Sequence, residues 1–195
     1  KPSGLQADHL GSASCARCHQ KEHDQWMNSI HIKMTKPVAQ AQVVGDFSNA
    51  ANFTSHGRTY AFGRRDGKPF VRVAAEGLAA ETYAVDYTLG AKRFQGYLST
   101  LPDGRIYVLP AFWHVETRRW VDWKEITPIP DGAHDLKQVW NANCFNCHAT
   151  NIVQGYDVTS ASYRSQWTEM GIGCEACHGP GREHIALAEA WEKTP

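Results

Sequence analysis

An α+β fold is predicted, with helical segments at both ends, a β-rich insert over about residues 60–126, and much irregular chain around them. Three observations carry this expectation. Copies of Cys-x-x-Cys-His fall towards the two ends, at residues 15–19, 144–148 and 174–178. Trp26, Met27, Ile30 and Met34 recur at steps of three or four before Pro37, the period of an amphipathic helix and its stop. The middle of the chain holds aromatic and β-branched runs punctuated by Asp-Gly, which is the pattern of hairpins.

Taken in order, residues 16–36 read as the first helix. Tyr60–Arg64 and Phe70–Ala74 flank Asp66-Gly67 as one hairpin, and Phe94–Leu101 and Ile106–Phe112 flank Pro102-Asp103-Gly104 as another. Tyr83–Thr88 and Trp120–Ile126 add two strands rich in aromatic and β-branched residues. Residues 128–135 read as a linker, and residues 136–148 and 183–192 as helices. The expected organisation is one unit of residues 1–195, with the first motif in 1–59, the insert in 60–127 and the other two motifs in 128–195.

Composition narrows the function. Lys plus Arg and Asp plus Glu are 20 each, so the formal net charge is zero. A nucleic-acid partner, which selects a cationic surplus, is therefore not expected. No apolar run approaches the ~18 residues of a membrane span. No charged, then apolar, then small-residue leader opens the sequence, as expected of a mature exported chain.

The cysteines carry the chemistry. All six lie in the three motifs, Cys15 and Cys18, Cys144 and Cys147, Cys174 and Cys177, and each second Cys is followed by His19, His148 or His178. A random chain of this composition holds about 0.01 such pentamers, so the repetition is chemical in origin. On a helical turn, residues i and i+3 lie about 5–6 Å apart on one face. Two thiols so placed can add to the two vinyl groups of one porphyrin, and the adjacent imidazole can reach its iron. A zinc site would pair the Cys-x-x-Cys units in twos and gives no reason for the following His. A redox dithiol uses the motif once. Three covalently attached haem c groups are expected.

Each motif His fills one axial position, leaving three. Seven further histidines and three methionines are available, and that surplus of imidazole favours bis-His ligation and low potentials. His31 follows the first motif by twelve residues, and His184 follows a Gly179-Pro180-Gly181 turn that lets the chain double back. His134 lies ten residues before Cys144, and His56 precedes the insert. These four are the candidate sixth ligands. His114 reads as a packed strand residue, and His9 and His23 as solvent-exposed. The short spacer between His148 and Cys174 makes the second and third haems the expected close pair.

At this point the residues resemble a known family. Cys15-x-x-Cys18-His19 with Trp26-x-x-Ser29-x-His31, and Gly173-Cys174-Glu175-Ala176-Cys177-His178-Gly179-Pro180-Gly181-x-x-His184, look like multihaem cytochromes related to the tetrahaem cytochrome c of ammonia oxidisers. Phe62-Gly63-Arg64-Arg65-Asp66-Gly67-Lys68-x-Phe70 and Leu101-Pro102-Asp103-Gly104-Arg105 look like a subgroup often fused to tetratricopeptide repeats. Three of the haem motifs are present here rather than four. The resemblance implies periplasmic or extracellular electron transfer between redox partner proteins, with no catalytic residues. It also implies crosswise ligation: His184 caps the haem of His19, His31 caps that of His178, and the haem of His148 takes His134 or stays open. Two alternatives stand beside the relay. One is a small-ligand or redox-catalytic haem protein with an open iron at His148. The other is a subunit of a cytochrome filament or complex, as a homo- or hetero-oligomer.

Overall fold

The computed structural model describes residues 4–126 and 138–193. The chain divides into two compact units, one of Lys1–Thr35 with Asn141–Pro195 and the other of Lys36–Trp140.

The Lys36–Trp140 unit is antiparallel β. Asn52–Ser55, Arg58–Arg65, Lys68–Ala75 and Glu81–Ala84 form a four-stranded meander in sequence order. The Asp66-Gly67 turn joins its two long strands with Arg65 opposite Lys68. Asp66 and Gly67 have φ of 52° and 77°, the pair of left-handed residues a type I′ hairpin needs. His56 and Gly57, at 48° and 73°, make the same turn between the first two strands. A second sheet is built on Phe94–Thr100, flanked by Tyr87–Leu89 on one side. Its other side pairs with Ile106–Val108 near one end and with Ala111–His114 near the other. Pro110 separates those two short strands, since proline cannot donate to a ladder. Arg119–Asp122 lies outside Ala111–His114, and Gln138–Val139 outside Ile106–Val108.

The core of this unit is aromatic. Trp120 stacks on Phe62 with ring centroids 3.6 Å apart and planes 4° from parallel. Phe47 meets Phe62, Tyr97 and Trp120 edge-on. The polar ends of buried tyrosines are satisfied. Tyr97 Oη donates to Gln95 Oε1 and accepts from Gly45 N–H, and Tyr60 Oη donates to Asp122 Oδ2 at 3.1 Å. Burial first, and the Asp122 carboxylate second, raise the Tyr60 phenol above its ordinary pKa.

The other unit corrects the expected fold class. Over the described residues of the whole chain strand outweighs helix, 36% against 23%, and in this unit the motifs sit on single turns rather than on the helical segments expected at both ends. Of residues 16–36 only Gln20–Met27 is α-helical; Asn28 and Ser29 close it, and Thr35–Pro37 is extended. In the segment expected to run 136–148, the described part is a two-residue strand followed by single turns, Trp140–Asn143 and Phe145–His148. Asn141 and Asn143 are poor helix formers, and Asn141 Nδ2 is held by a contact remote in sequence, donating to Ser165 Oγ at 2.9 Å. Residues 128–135, the expected linker, fall outside the described residues. The Arg182–Glu192 helix stands as expected. Between the second and third motifs runs a β-ribbon, Ala149–Val153 against Gln166–Met170, with a small Tyr156–Asp157 and Ser162–Tyr163 hairpin at its far end.

The two units differ in what they bury. Among the described residues, the buried hydrophobic side chains of the Lys1–Thr35 and Asn141–Pro195 unit are Ile32, Phe145, Ala149 and Met170, while Met27, Ile30, Tyr156, Val158, Leu187 and Trp191 stand exposed. That inversion leaves the unit with little protein core of its own.

Gly96 lies in the buried part of its strand, where a methyl group would sit 2.9 Å from Phe112 Cζ and closer still to Cε1. Gly96→Ala is expected to destabilise the protein by about 1–3 kcal/mol through overpacking. Urea denaturation followed by near-ultraviolet circular dichroism checks this, and an unshifted midpoint would refute it.

Candidate haem-attachment site

Each motif is closed by a helical hydrogen bond between its two cysteines. Cys18 N–H donates to Cys15 O at 3.3 Å, Cys147 N–H to Cys144 O at 3.1 Å, and Cys177 N–H to Cys174 O at 3.2 Å. The turn puts both thiols of a pair on one side. All six cysteines are free; the first of each pair is partly buried and the second exposed. Among the described residues no three His, Cys, Asp or Glu side chains gather into a metal cage, the grouping that a thiolate zinc site needs.

The ribbon sets the second and third motifs at one end. Ala149, directly after His148, pairs with Met170, four residues before Cys174. Gly171 N–H donates to His148 O at 3.0 Å, and Thr150 Oγ1 donates to Gly171 O while accepting from Gly173 N–H. Asn151, with φ of 49°, interrupts the ladder and turns its amide to Thr168 Oγ1 and Gln6 O.

The first motif is held to the third by two carboxylates. Glu175, only 5% exposed, accepts from Leu10 N–H at 2.9 Å, Gly11 N–H at 2.7 Å and Gly181 N–H at 2.8 Å. Glu169 accepts from Ser12 Oγ at 2.6 Å, and Ser12 Oγ in turn accepts from Cys174 N–H at 2.9 Å. The Cys15 thiol lies beside Cys174; burial first, and that neighbour next, raise the Cys15 pKa. The carboxylates thus set the first motif beside the third, while the ribbon sets the second beside the third. Neither carboxylate featured in the sequence reading. A glutamate inside the motif, at Cys174-Glu175-Ala176-Cys177, was the available signal.

The imidazoles differ in their settings. His19 and His184 face each other with centroids 6.1 Å apart and planes 24° from parallel. A metal bound to two imidazoles at roughly 2.0–2.1 Å from each nitrogen holds their centroids about 6 Å apart. His31 accepts Ile172 N–H on its carbonyl at 3.1 Å, two residues before Cys174. Trp26 Nε1 donates to Ile172 O at 2.8 Å, and Ser29 Oγ lies 3.4 Å from His31 Nδ1. The Trp-x-x-Ser-x-His spacing is thereby explained: Trp26 docks the segment beside the third motif, and Ser29 orients the imidazole. His148 Nδ1 donates to Met34 O at 3.3 Å, which leaves its Nε2 lone pair free. Burial holds this imidazole below its ordinary pKa, against the opposing pull of the Met34 carbonyl.

Other histidines fall elsewhere. His56 occupies the exposed turn described above. His114 packs edge-on against Phe94 at 4.8 Å and accepts Thr117 N–H on Nδ1. His134 lies outside the described residues. His9 and His23, expected to be solvent-exposed, are half-buried, with Nδ1 enclosed and without a hydrogen-bond partner; His23 lies against Trp26 at 5.3 Å.

A family profile described as cytochrome c554 and c-prime matches residues 14–60 and 116–179. This chain belongs to that family. Cytochrome c-554 of Nitrosomonas europaea is 37% identical over 68 residues, covering 33% of this chain and 27% of that protein. The crystal structure of outer cell wall cytochrome OcwA superposes with a TM-score of 0.60 at 20% identity, over 94% of this chain and 34% of the other. The latter likeness is one of fold. The chain therefore spans about a third or less of the length of either relative.

Membership of a cytochrome c family implies covalently bound haem c, and the residues fit it. Three thiol pairs stand free on helical turns, two imidazoles face each other at the separation of a shared metal, and, among the described residues, six large hydrophobic side chains of this unit stand exposed.

Burial on its own would raise the Glu175 carboxyl, but the donors from Leu10, Gly181 and Gly11, with His9 nearby, hold it below the usual carboxylate value. A depressed folded pKa contributes stability that is complete above the unfolded value of about 4.3 and is lost as pH falls through the folded one. Glu175→Gln is expected to cost about 1.5–3 kcal/mol at pH 7, a difference that shrinks below about pH 4. Denaturation midpoints of the two proteins across that range check both statements, and coincident midpoints at neutral pH would contradict them.

Proposed function

We propose that residues 1–195 act as one multihaem c-type cytochrome unit that passes electrons through three covalently attached haems. Cys15 and Cys18, Cys144 and Cys147, and Cys174 and Cys177 hold the porphyrins as thioethers. His19, His148 and His178 each bind one iron. His184 completes the first site and His31 the third, with His134 as the candidate for the second. The facing of His19 and His184 at 6.1 Å is the observation that carries the reading.

When bound, haem supplies a one-electron ferric–ferrous couple. The chain's own contribution is positional. Ser29 fixes the His31 imidazole, the Met34 carbonyl fixes that of His148, and Glu175 keeps the first and third motifs in register. Irons held on both faces by imidazole leave no position for a substrate, which favours transfer over catalysis. Low potentials follow from His rather than Met as the sixth ligand. The partners are redox proteins, and the compartment is the periplasm or the cell exterior, where such attachment is made.

A pyridine haemochrome assay is expected to return three haems per chain, with a ferric spectrum that is low-spin. His184→Ala is expected to turn about one haem in three high-spin. Retention of a fully low-spin spectrum in that variant would overturn the ligand pairing. Carbon monoxide binding by the reduced native protein, at one equivalent per chain, would assign it instead to the small-ligand class with an open iron.

A further inference from the structure

We propose that the Arg182–Glu192 helix is more than the carrier of a ligand: its Leu187 and Trp191 form an apolar wall over the first haem, keep water from it and so raise its potential. This rests on the reading of His19 and His184 as the ligands of one iron.

The helix places the pieces. Counting from His184, residues 187, 188 and 191 recur at steps of three and four and share its face. That face carries Leu187, Ala188 and Trp191. Leu187 is 65% exposed and Trp191 82%, among the most exposed large hydrophobic side chains of the described residues. Scattered apolar residues need no explanation, but here two of them line up with a proposed metal ligand on one short helix. Trp191 lies about 10 Å along the axis from His184, within the reach of one porphyrin and its edge substituents.

The position of the helix against the first motif points to the same occupant. At one end His184 faces His19. At the other, Glu189 and Glu192 lie 3.4 and 3.8 Å from Arg17, which stands between Cys15 and Cys18. The helix is therefore set along the first motif over its length, and the group tethered to Cys15 and Cys18 is the one that its apolar face can cover. Excluding water disfavours the more highly charged ferric state, so such a wall shifts the couple towards reduction.

The test is a redox titration of the holoprotein carrying Leu187→Gln and Trp191→Gln, with Trp191→Phe as the conservative variant. The haemochrome count and the low-spin ferric spectrum report separately on the parent reading, and both are expected unchanged. One of the three midpoint potentials is expected to fall, its reduction equilibrium moving by roughly three- to tenfold, the upper end being ~59 mV for one electron. Trp191→Phe is expected to leave all three potentials in place. Three unaltered potentials in the glutamine variant, with haem count and spin state intact, would overturn the wall. Loss of self-association without a change of potential would instead give the face to a protein partner and would overturn it equally. A native count below three would defeat the parent reading, not the wall alone.

Discussion

A buried carboxylate holds the candidate site together. Glu175 sits inside the third motif, yet its hydrogen-bond donors come from the approach to the first motif, at Leu10 and Gly11, and from the turn that launches the His184 helix, at Gly181. Without that anion three backbone N–H groups would be left unsatisfied in a poorly hydrated place, a cost of about 1–3 kcal/mol for each such group. The same anion also sets geometry. His19 lies four residues beyond Cys15, and His184 three beyond Gly181, so their facing rings hang from two segments that Glu175 gathers. By comparison the Arg17 pairs with Glu189 and Glu192 join half-exposed side chains, and such pairs contribute about 0–1 kcal/mol. The helix is steered by the surface ions and fixed by the buried one.

Some of this was legible in the residues. Asp66-Gly67 announced its hairpin because two consecutive left-handed residues are a local demand that few dipeptides meet. The loop at Pro102-Asp103-Gly104 announced another, with a single left-handed residue at Gly104. His56-Gly57 makes a turn equivalent to that at Asp66-Gly67 but was not read as one, since histidine is an uncommon first residue there and competed with its own chemistry as a ligand. The β-ribbon between the second and third motifs escaped because its strands are short and Asn151 breaks their alternation. The helical expectation failed for a related reason. A Cys-x-x-Cys-His pair needs only one turn to align its sulfurs, and nothing in the motif requires that turn to be continued.

The three Cys-x-x-Cys-His triplets, and the intervals that made His31 and His184 candidates, are local patterns that a sequence displays directly. The supporting shell is not so displayed, because it is made by contacts remote in sequence. Glu175 reaches back 165 residues to Leu10, and Trp26 reaches forward 146 to Ile172. A single sequence carries no register for such distances. What it does carry is residue type: a carboxylate within a motif, and a tryptophan and a serine at set intervals before a histidine.

The contrast between the two units gives these details a common cause. The Lys36–Trp140 unit buries a continuous aromatic cluster from Phe47 to Trp120, enough apolar area to account for its own cohesion. The other unit is of comparable length but, among its described residues, keeps four hydrophobic side chains inside and turns Met27, Ile30, Tyr156, Val158, Leu187 and Trp191 outward. A chain that ordered its backbone around so small a core would not recover the conformational entropy it loses. On the proposed reading, flat apolar macrocycles bound at the six motif sulfurs supply the missing surface. On this view the porphyrins form the interior of that unit, and the side chains that look misplaced in the bare chain are the lining that faces them.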